Sequence, residues 1–189
     1  MKNVEVEIEG ITPLLMNRFT AESEIQVSSR VSAVNNGDKG TPREQAEKTT
    51  YKDENGNLYI PSPNMFRAII DAGKFHKMGK SKVTTVRSSL VPAGIAINSI
   101  IIPLGTKQFE VDSRAVVNPK TGGRVMKHRA RLDIWRLKFT LEIDTDMFAV
   151  DFVRTLLDDA GKRVGLGDYR PDRKGPFGKF KVTKWKSVA

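Results

Sequence analysis

Cysteine is absent from these 189 residues, histidine occurs twice, and aromatic residues make up only 7% of the chain. Without cysteine there is no disulfide, no thiolate metal ligand and no cysteine nucleophile. Two histidines leave little for zinc or any histidine-centred site, so neither a metal nor a cofactor is expected. Long apolar runs are missing too. The most apolar stretch, around Ile100 to Ile102, falls far short of the roughly 20 residues that cross a bilayer, and no membrane partner is expected. The first residues, MKNVEVEIEG, alternate charge with valine and isoleucine and lack the apolar centre of a secretory signal, which points to the cytoplasm.

What is present is charge, unevenly placed. Hydrophobic residues make up 39% and charged residues 29%, a composition that folds, at a length suited to one domain over 1–189. The net charge is +10, yet residues 1–60 hold 7 Lys and Arg against 10 Asp and Glu. The basic surplus therefore lies wholly beyond the first third. A concentrated positive field favours polyanions, because each neutralised phosphate releases counterions; a solvated basic surface that aids solubility is the plainer alternative.

Along the chain, Val4, Val6 and Ile8 alternate with Glu5, Glu7 and Glu9, the period of a strand with one buried face. Residues 20–50 are polar and aperiodic, and NNGDKGTP within them reads as a mobile loop insertion. Asn55-Gly56 marks a hairpin turn. Ser62 and Pro63 then open a helix with Met65, Phe66, Ile69, Ile70 and Phe75 on its apolar side. One or two buried strands fall within VPAGIAINSIIIPL. Residues 107–131 form two alternating arms around NPKTGG, too poor in large apolar side chains to bury a face, so this hairpin is expected to protrude. A long strand over 134–143, a helix over 147–160 capped by Asp144 or Asp146 and ended at Gly161, and a last strand FKVTKW complete the order. Trp135 and Trp185 read as core. Strand, helix, strand, basic hairpin, strand, helix, strand is the βαββαβ order of the ferredoxin-like (RRM-like) α+β fold.

Three stretches, VEVEIEGITPLLMN, LYIPSPNMFRAIIDA and GLGDYRPDRKGPFGKFKV, stand in order at the first strand exit, the first helix entry and the approach to the last strand. Together they resemble the RAMP superfamily of CRISPR ribonucleoprotein subunits, with Ile60, Pro61, Ser62 and Arg67 matching that family's helix-entry motif. With the basic 107–131 insertion, the resemblance is greatest to backbone subunits that polymerise along guide RNA, in which such an insertion acts as a thumb over the neighbouring subunit's RNA. It implies a non-catalytic subunit that binds single-stranded RNA, with single-stranded DNA left open. Its partners would be further copies of itself and other CRISPR-type subunits. Pro63, Ala68 and the run Asp168 to Pro171 depart from the family pattern and keep open a phage or mobile-element relative: a single-strand-binding protein, or a mimic or inhibitor of a CRISPR complex.

The residues that would hold nucleic acid follow from charge and backbone freedom. In the last motif, Gly165, Gly167, Gly175 and Gly178 allow positive φ and close backbone approach, with Lys162, Arg163, Arg170, Arg173, Lys174 and Lys179 around them. The loop lacks the GKS or GKT ending of a nucleotide triphosphatase. The hairpin offers Arg114, Lys120, Arg124, Lys127, His128, Arg129 and Arg131, and the region after the first helix offers Lys74, Lys77, Lys80, Lys82 and Arg87 beside Arg67. A structural turn, a protein-binding hairpin and a solvated face are the respective alternatives. For catalysis the resemblance offers Asp38, in a loop where some relatives cut target RNA, and His76, in a helix where others process guide RNA. An endoribonuclease is thus the alternative to a binding subunit.

Overall fold

The computed structural model describes residues 1–19, 40–117 and 122–188. In chain order its strands are β1 (Lys2–Gly10), β2 (Leu14–Leu15), β3 (Tyr59–Pro61), β4 (Lys77–Met78), β5 (Ser81–Lys82), β6 (Ile95–Ile97), β7 (Ile101–Pro103), β8 (Glu110–Val117), β9 (Arg124–Leu132), β10 (Arg136–Ile143) and β11 (Phe180–Val188). The helices are α1 (Pro42–Lys48), α2 (Ser62–Ala72), α3 (Val91–Gly94) and α4 (Val150–Asp159). The architecture is mixed α and β, with antiparallel sheets.

The alternation of β1 sets the main layer. Val4, Val6 and Ile8 face inward and lie opposite Leu141, Phe139 and Leu137 of β10. On the other side β11 pairs antiparallel, Val6 opposite Trp185, with a register shift between Glu7 and Ile8. β6 pairs with the end of β10, giving the order β11-β1-β10-β6. Helices α2 and α4 pack against each other and join the sheet's apolar residues in one cluster, through Met65, Ala68, Ile69 and Ala72 and through Val153, Leu156 and Leu157. Each fully buried leucine or isoleucine there contributes about 1.5–3 kcal/mol.

The second sheet runs β2-β9-β8 and carries the basic hairpin, in register from Glu110 opposite Arg131 to Val117 opposite Arg124. At its base α1 packs against both arms. This helix corrects the reading of 20–50 as loop throughout. Thr41 accepts from the Glu44 amide and the Glu44 carboxylate accepts from the Thr41 amide, a capping box ahead of Pro42.

Helix boundaries differ from expectation for local reasons. Ser62 does not cap α2; it is the first helical residue, after Pro61, and its amide donates to Ile100 O at 2.9 Å. Phe75 lies beyond α2 in a 3₁₀ turn, half exposed, with the Arg163 guanidinium over its ring. Neither Asp144 nor Asp146 caps α4, which starts after Ala149; Asp144 instead accepts from the Asp146 amide in the preceding turn. Gly161 does not end that helix. A π turn carries it through Ala160–Val164, and Gly165, at φ 77°, stops it.

Trp135 is buried just before β10 and donates to Thr12 O at 2.9 Å, while Trp185 is half-buried against the core.

Candidate nucleic-acid interface

The glycine-rich segment from Gly165 to Lys179 is built on the exit of β1. The Gly178 amide donates to Pro13 O, the Asp168 amide to Leu15 O, and the Lys179 amide to the Thr12 hydroxyl. Two of the three sequence motifs are thereby hydrogen-bonded together. Within the segment, the amides of Gly165 and Gly175 donate to Ala160 O and Arg170 O, and that of Leu166 to Gly178 O. The amides of Gly165, Gly175 and Gly178 are therefore engaged inside the protein rather than offered to phosphates. A Cβ on Gly178 would overlap the Leu166 carbonyl, so that glycine serves close packing of the loop on itself.

The remaining motif, at the entry to α2, closes a cleft of about 230 Å³ over this loop: Asn64, Arg67 and Ala68 face Gly165, Gly167 and Arg170, with Asn17 and Tyr51 completing the wall. Behind it runs an ion network. Arg67 and Lys74 pair with the buried Asp71 at 3.1 and 3.0 Å, and Lys74 reaches Asp172, which also pairs with Arg170 and Arg173. Burial acts to raise the Asp71 carboxyl, but the bonds from Lys74 and Arg67 hold it below the usual carboxylate range. The four cations exceed the two carboxylates, and Arg67 keeps 67% of its side-chain surface exposed.

A wider groove of about 770 Å³ lies alongside, between the hairpin and the same loop, and it shares Asp168 and Arg170 with the cleft. Arg129 sits 2.6 Å from Asp168, an ion pair not aligned as a hydrogen bond, and the Arg114 guanidinium stacks 4.5 Å over Phe177. Asp112, opposite Arg129 in the register, accepts from Arg114 and holds its guanidinium pKa above the ordinary value. Arg131 pairs with Asp133. The proximal cations thus seat the hairpin on the body, whereas Arg124 and Lys127, towards the tip, make no ion pair among the described residues, and Val117, Val125 and Met126 beside them are exposed.

The other candidates are scattered. Lys77, Lys80, Lys82 and Arg87 lie on the β4–β5 turn and the turn after it, and line neither cleft. Lys162 and Arg163 sit on the π turn, where Arg163 pairs with Asp159. Lys174, at φ 60°, lies within the loop, and Lys179 ends it. His76 has a partner invisible in sequence: its Nε2 lies 2.8 Å from Asp159, its ring edge-on to Phe152, tying the ends of α2 and α4 together outside both clefts. His128 bonds the Ser113 hydroxyl. Asp38 and Lys120 lie outside the described residues. Among the described residues no acid or histidine cluster could hold a metal, and no helix is long and apolar enough to cross a membrane.

The solvent face of the main sheet is unlike the grooves. Glu7 sits between Lys184 and Lys138, and Glu9 between Arg136 and Lys181, a central carboxylate row flanked by cations. Asn17, Tyr51, Asn64 and Tyr169 are cleft residues that charge-based reading passed over, although Asn17, Asn64 and Tyr169 fall within the three motifs.

No family model matches the chain, and no curated protein matches it significantly. Among solved structures, 99% of it superposes on a chain of the type III-B Cmr-beta assembly bound to cognate target RNA, with a TM-score of 0.61 and 12% identity. The two share a fold. The chain spans about 60% of that subunit's length. A chain of a CRISPR RNA-guided surveillance complex aligns over 82% of it and 58% of its own length, with a TM-score of 0.29 and 14% identity.

Proposed function

We propose that this chain is a single-domain, ferredoxin-like subunit of RAMP type that binds single-stranded RNA without cutting it. It assembles side by side along the strand with further copies and with other CRISPR-type subunits. Support for the fold comes from the sheet order, with α2 in the connection from β1 to β6 and α4 in that from β10 to β11. Support for the assembly comes from the fold shared with a subunit of an RNA-bound type III-B complex.

The observation that carries RNA binding is the convergence of three separate sequence motifs and the hairpin on one pair of adjoining clefts rimmed by Arg67, Arg170, Arg173 and Arg114. Concave cationic tracks with exposed apolar side chains hold single strands, and the hairpin tip supplies the latter as the outer part of a thumb. The carboxylate row makes the open sheet face the poorer platform.

Fluorescence anisotropy with single-stranded RNA and DNA of equal length, titrated with salt, tests the reading. The expected result is binding that weakens steeply with salt, at one subunit per fixed number of nucleotides. Salt-insensitive binding, or none at low salt, would overturn it.

A further inference from the structure

Away from both clefts, a second set of cations gathers where α2 ends. The chain carries no aspartate or glutamate between Asp71 and Glu110, yet Lys77, Lys80, Lys82 and Arg87 fall within that stretch. In the β4–β5 pair Lys77 stands directly opposite Lys82, and Lys80 sits in the turn between them. Like charges directly opposite each other on paired strands are destabilising. The turn that follows is fixed to the same place, because the Val83 amide donates to His76 O and the Thr84 amide to Gly73 O, at the 3₁₀ turn after α2. It leaves Val86 fully exposed, with Arg87 exposed beside it. The π turn after α4 closes the group: the Arg163 guanidinium lies 5.2 Å over the half-exposed Phe75 ring, and Lys162 next to it is exposed. Arg163 pairs with Asp159, whereas Lys77, Lys80, Lys82, Arg87 and Lys162 make no ion pair among the described residues.

A local rule is thus broken at Lys77 and Lys82 with no compensating carboxylate nearby in the chain, which is the mark of a binding surface. A single nucleic-acid strand suits this surface poorly. Such strands are held in cationic grooves with free aromatic faces for stacking; these cations line neither cleft, and Arg163 already covers the ring of Phe75. The fully exposed apolar side chain is aliphatic, Val86, which packs against side chains and does not stack on bases. An ammonium is a compact point charge with rotating donors, and it accepts carboxylates without a fixed geometry. We propose that this end of the molecule is a docking surface for an acidic segment of a partner protein. The lysines and Arg87 steer and hold its carboxylates, and Val86 and Phe75 receive its apolar side chains. The proposal stands apart from the RNA-binding reading.

The test uses the full chain and a short fluorescent peptide that alternates glutamate with leucine, with glutamate-serine and lysine-leucine peptides of equal length as controls. The glutamate-leucine peptide is expected to bind, more weakly as salt rises, and the lysine-leucine peptide not to bind. Lys77→Glu with Lys80→Glu should weaken that binding about tenfold, the scale of losing a few exposed ion pairs. The melting temperature should not fall, since Lys77→Glu sets an opposite charge across from Lys82. Val86→Ser should weaken binding about threefold through lost apolar contact and narrow the gap between the two acidic peptides. The lysine variant should lose far less RNA affinity than reversal of Arg124 and Lys127. Absence of glutamate-leucine binding at low salt would overturn the proposal, as would equal binding by the wild type and the lysine variant, or an equal loss when Lys138 and Lys181 are reversed instead. A lysine variant that loses RNA and keeps the peptide would assign the surface to nucleic acid, and self-association of the wild type that this variant abolishes would assign it to a second copy; either result also overturns the acidic partner.

Discussion

The main sheet and the basic hairpin are both antiparallel and both alternate with a period of two, yet one makes the core and the other leaves it. In β1 and β10 every second residue is a valine, isoleucine, leucine or phenylalanine, and those rows are buried. In the hairpin the rows are Asp112, Arg114 and Val116 facing Arg129, Lys127 and Val125, with Ser113, Ala115 and Val117 facing His128, Met126 and Arg124 on the other side. Neither row can bury enough apolar surface, so among the described residues only Phe109, Ala130 and Leu132, at the base, are buried in the core. Charge follows the same division: carboxylates answer cations on the sheet's open face and at the hairpin's base, and among the described residues none answers Arg124 or Lys127.

Truncation would break this comparison most directly. Leu141→Ala in the sheet should cost roughly 2–5 kcal/mol, whereas Val125→Ala in the exposed tip should stay within about 0.5 kcal/mol. Equal costs in denaturant unfolding would mean that the tip is buried after all. The next largest effect separates two glycines of similar backbone. Gly178→Ala combines overpacking of roughly 1–3 kcal/mol with roughly 1–2 kcal/mol for a side chain in the left-handed region, since its Cβ meets the Leu166 carbonyl. Gly122→Ala, at φ 69° but with nothing near, should show only the second cost. Melting temperatures of the two variants measure the difference.

Reversing Arg124 and Lys127 together to glutamate should lower RNA affinity about tenfold at low salt and flatten the log–log salt slope by about 0.7 for each phosphate no longer neutralised. The same reversal of Lys138 and Lys181, on the sheet's open face, should leave RNA binding nearly unchanged. If the two pairs behave alike, the hairpin is not the thumb.

The smallest expected effect is acid sensitivity of the sheet face. A hydrogen bond from Lys184 and the nearby cations hold the Glu7 carboxyl below its ordinary value. The folded state then binds fewer protons than the unfolded one, so the contribution exists above the ordinary carboxylate pKa and fades as pH falls through the lowered one. Glu7→Gln should be slightly less stable than wild type at neutral pH, and the gap should close in acid. A gap that widens in acid would contradict the pairing.

Much of the fold was legible because its signals are local. Alternation in β1 and β10, the Asn55-Gly56 turn and the apolar faces of α2 and α4 each need only a few neighbouring residues to be read. Helix α1 was missed: Thr41-Pro42-Arg43-Glu44 carries the spacing of a capping box, but its polar surroundings read as loop. The caps of α2 and α4 failed for another reason. The Ser62 amide is taken by Ile100, 38 positions along the chain, and such a partner leaves no mark beside the serine. In the candidate site, the arginines were visible as charge, while the pairing that separates Arg129 from Lys127 was not, because it depends on where Asp168 arrives.

The chain's own residues settled where the basic surplus lies, which strands can bury a face, and that no thiolate chemistry is available, since each depends on side-chain type and short-range period alone. Only the tertiary structure decided what the glycines do, which cations of the described residues stay without an ion pair and that Asn17, Tyr51 and Asn64 share one cleft. These are meetings between distant segments, as when the Gly178 amide meets the Pro13 carbonyl 165 positions away, and packing brings such partners together without any local pattern to announce them.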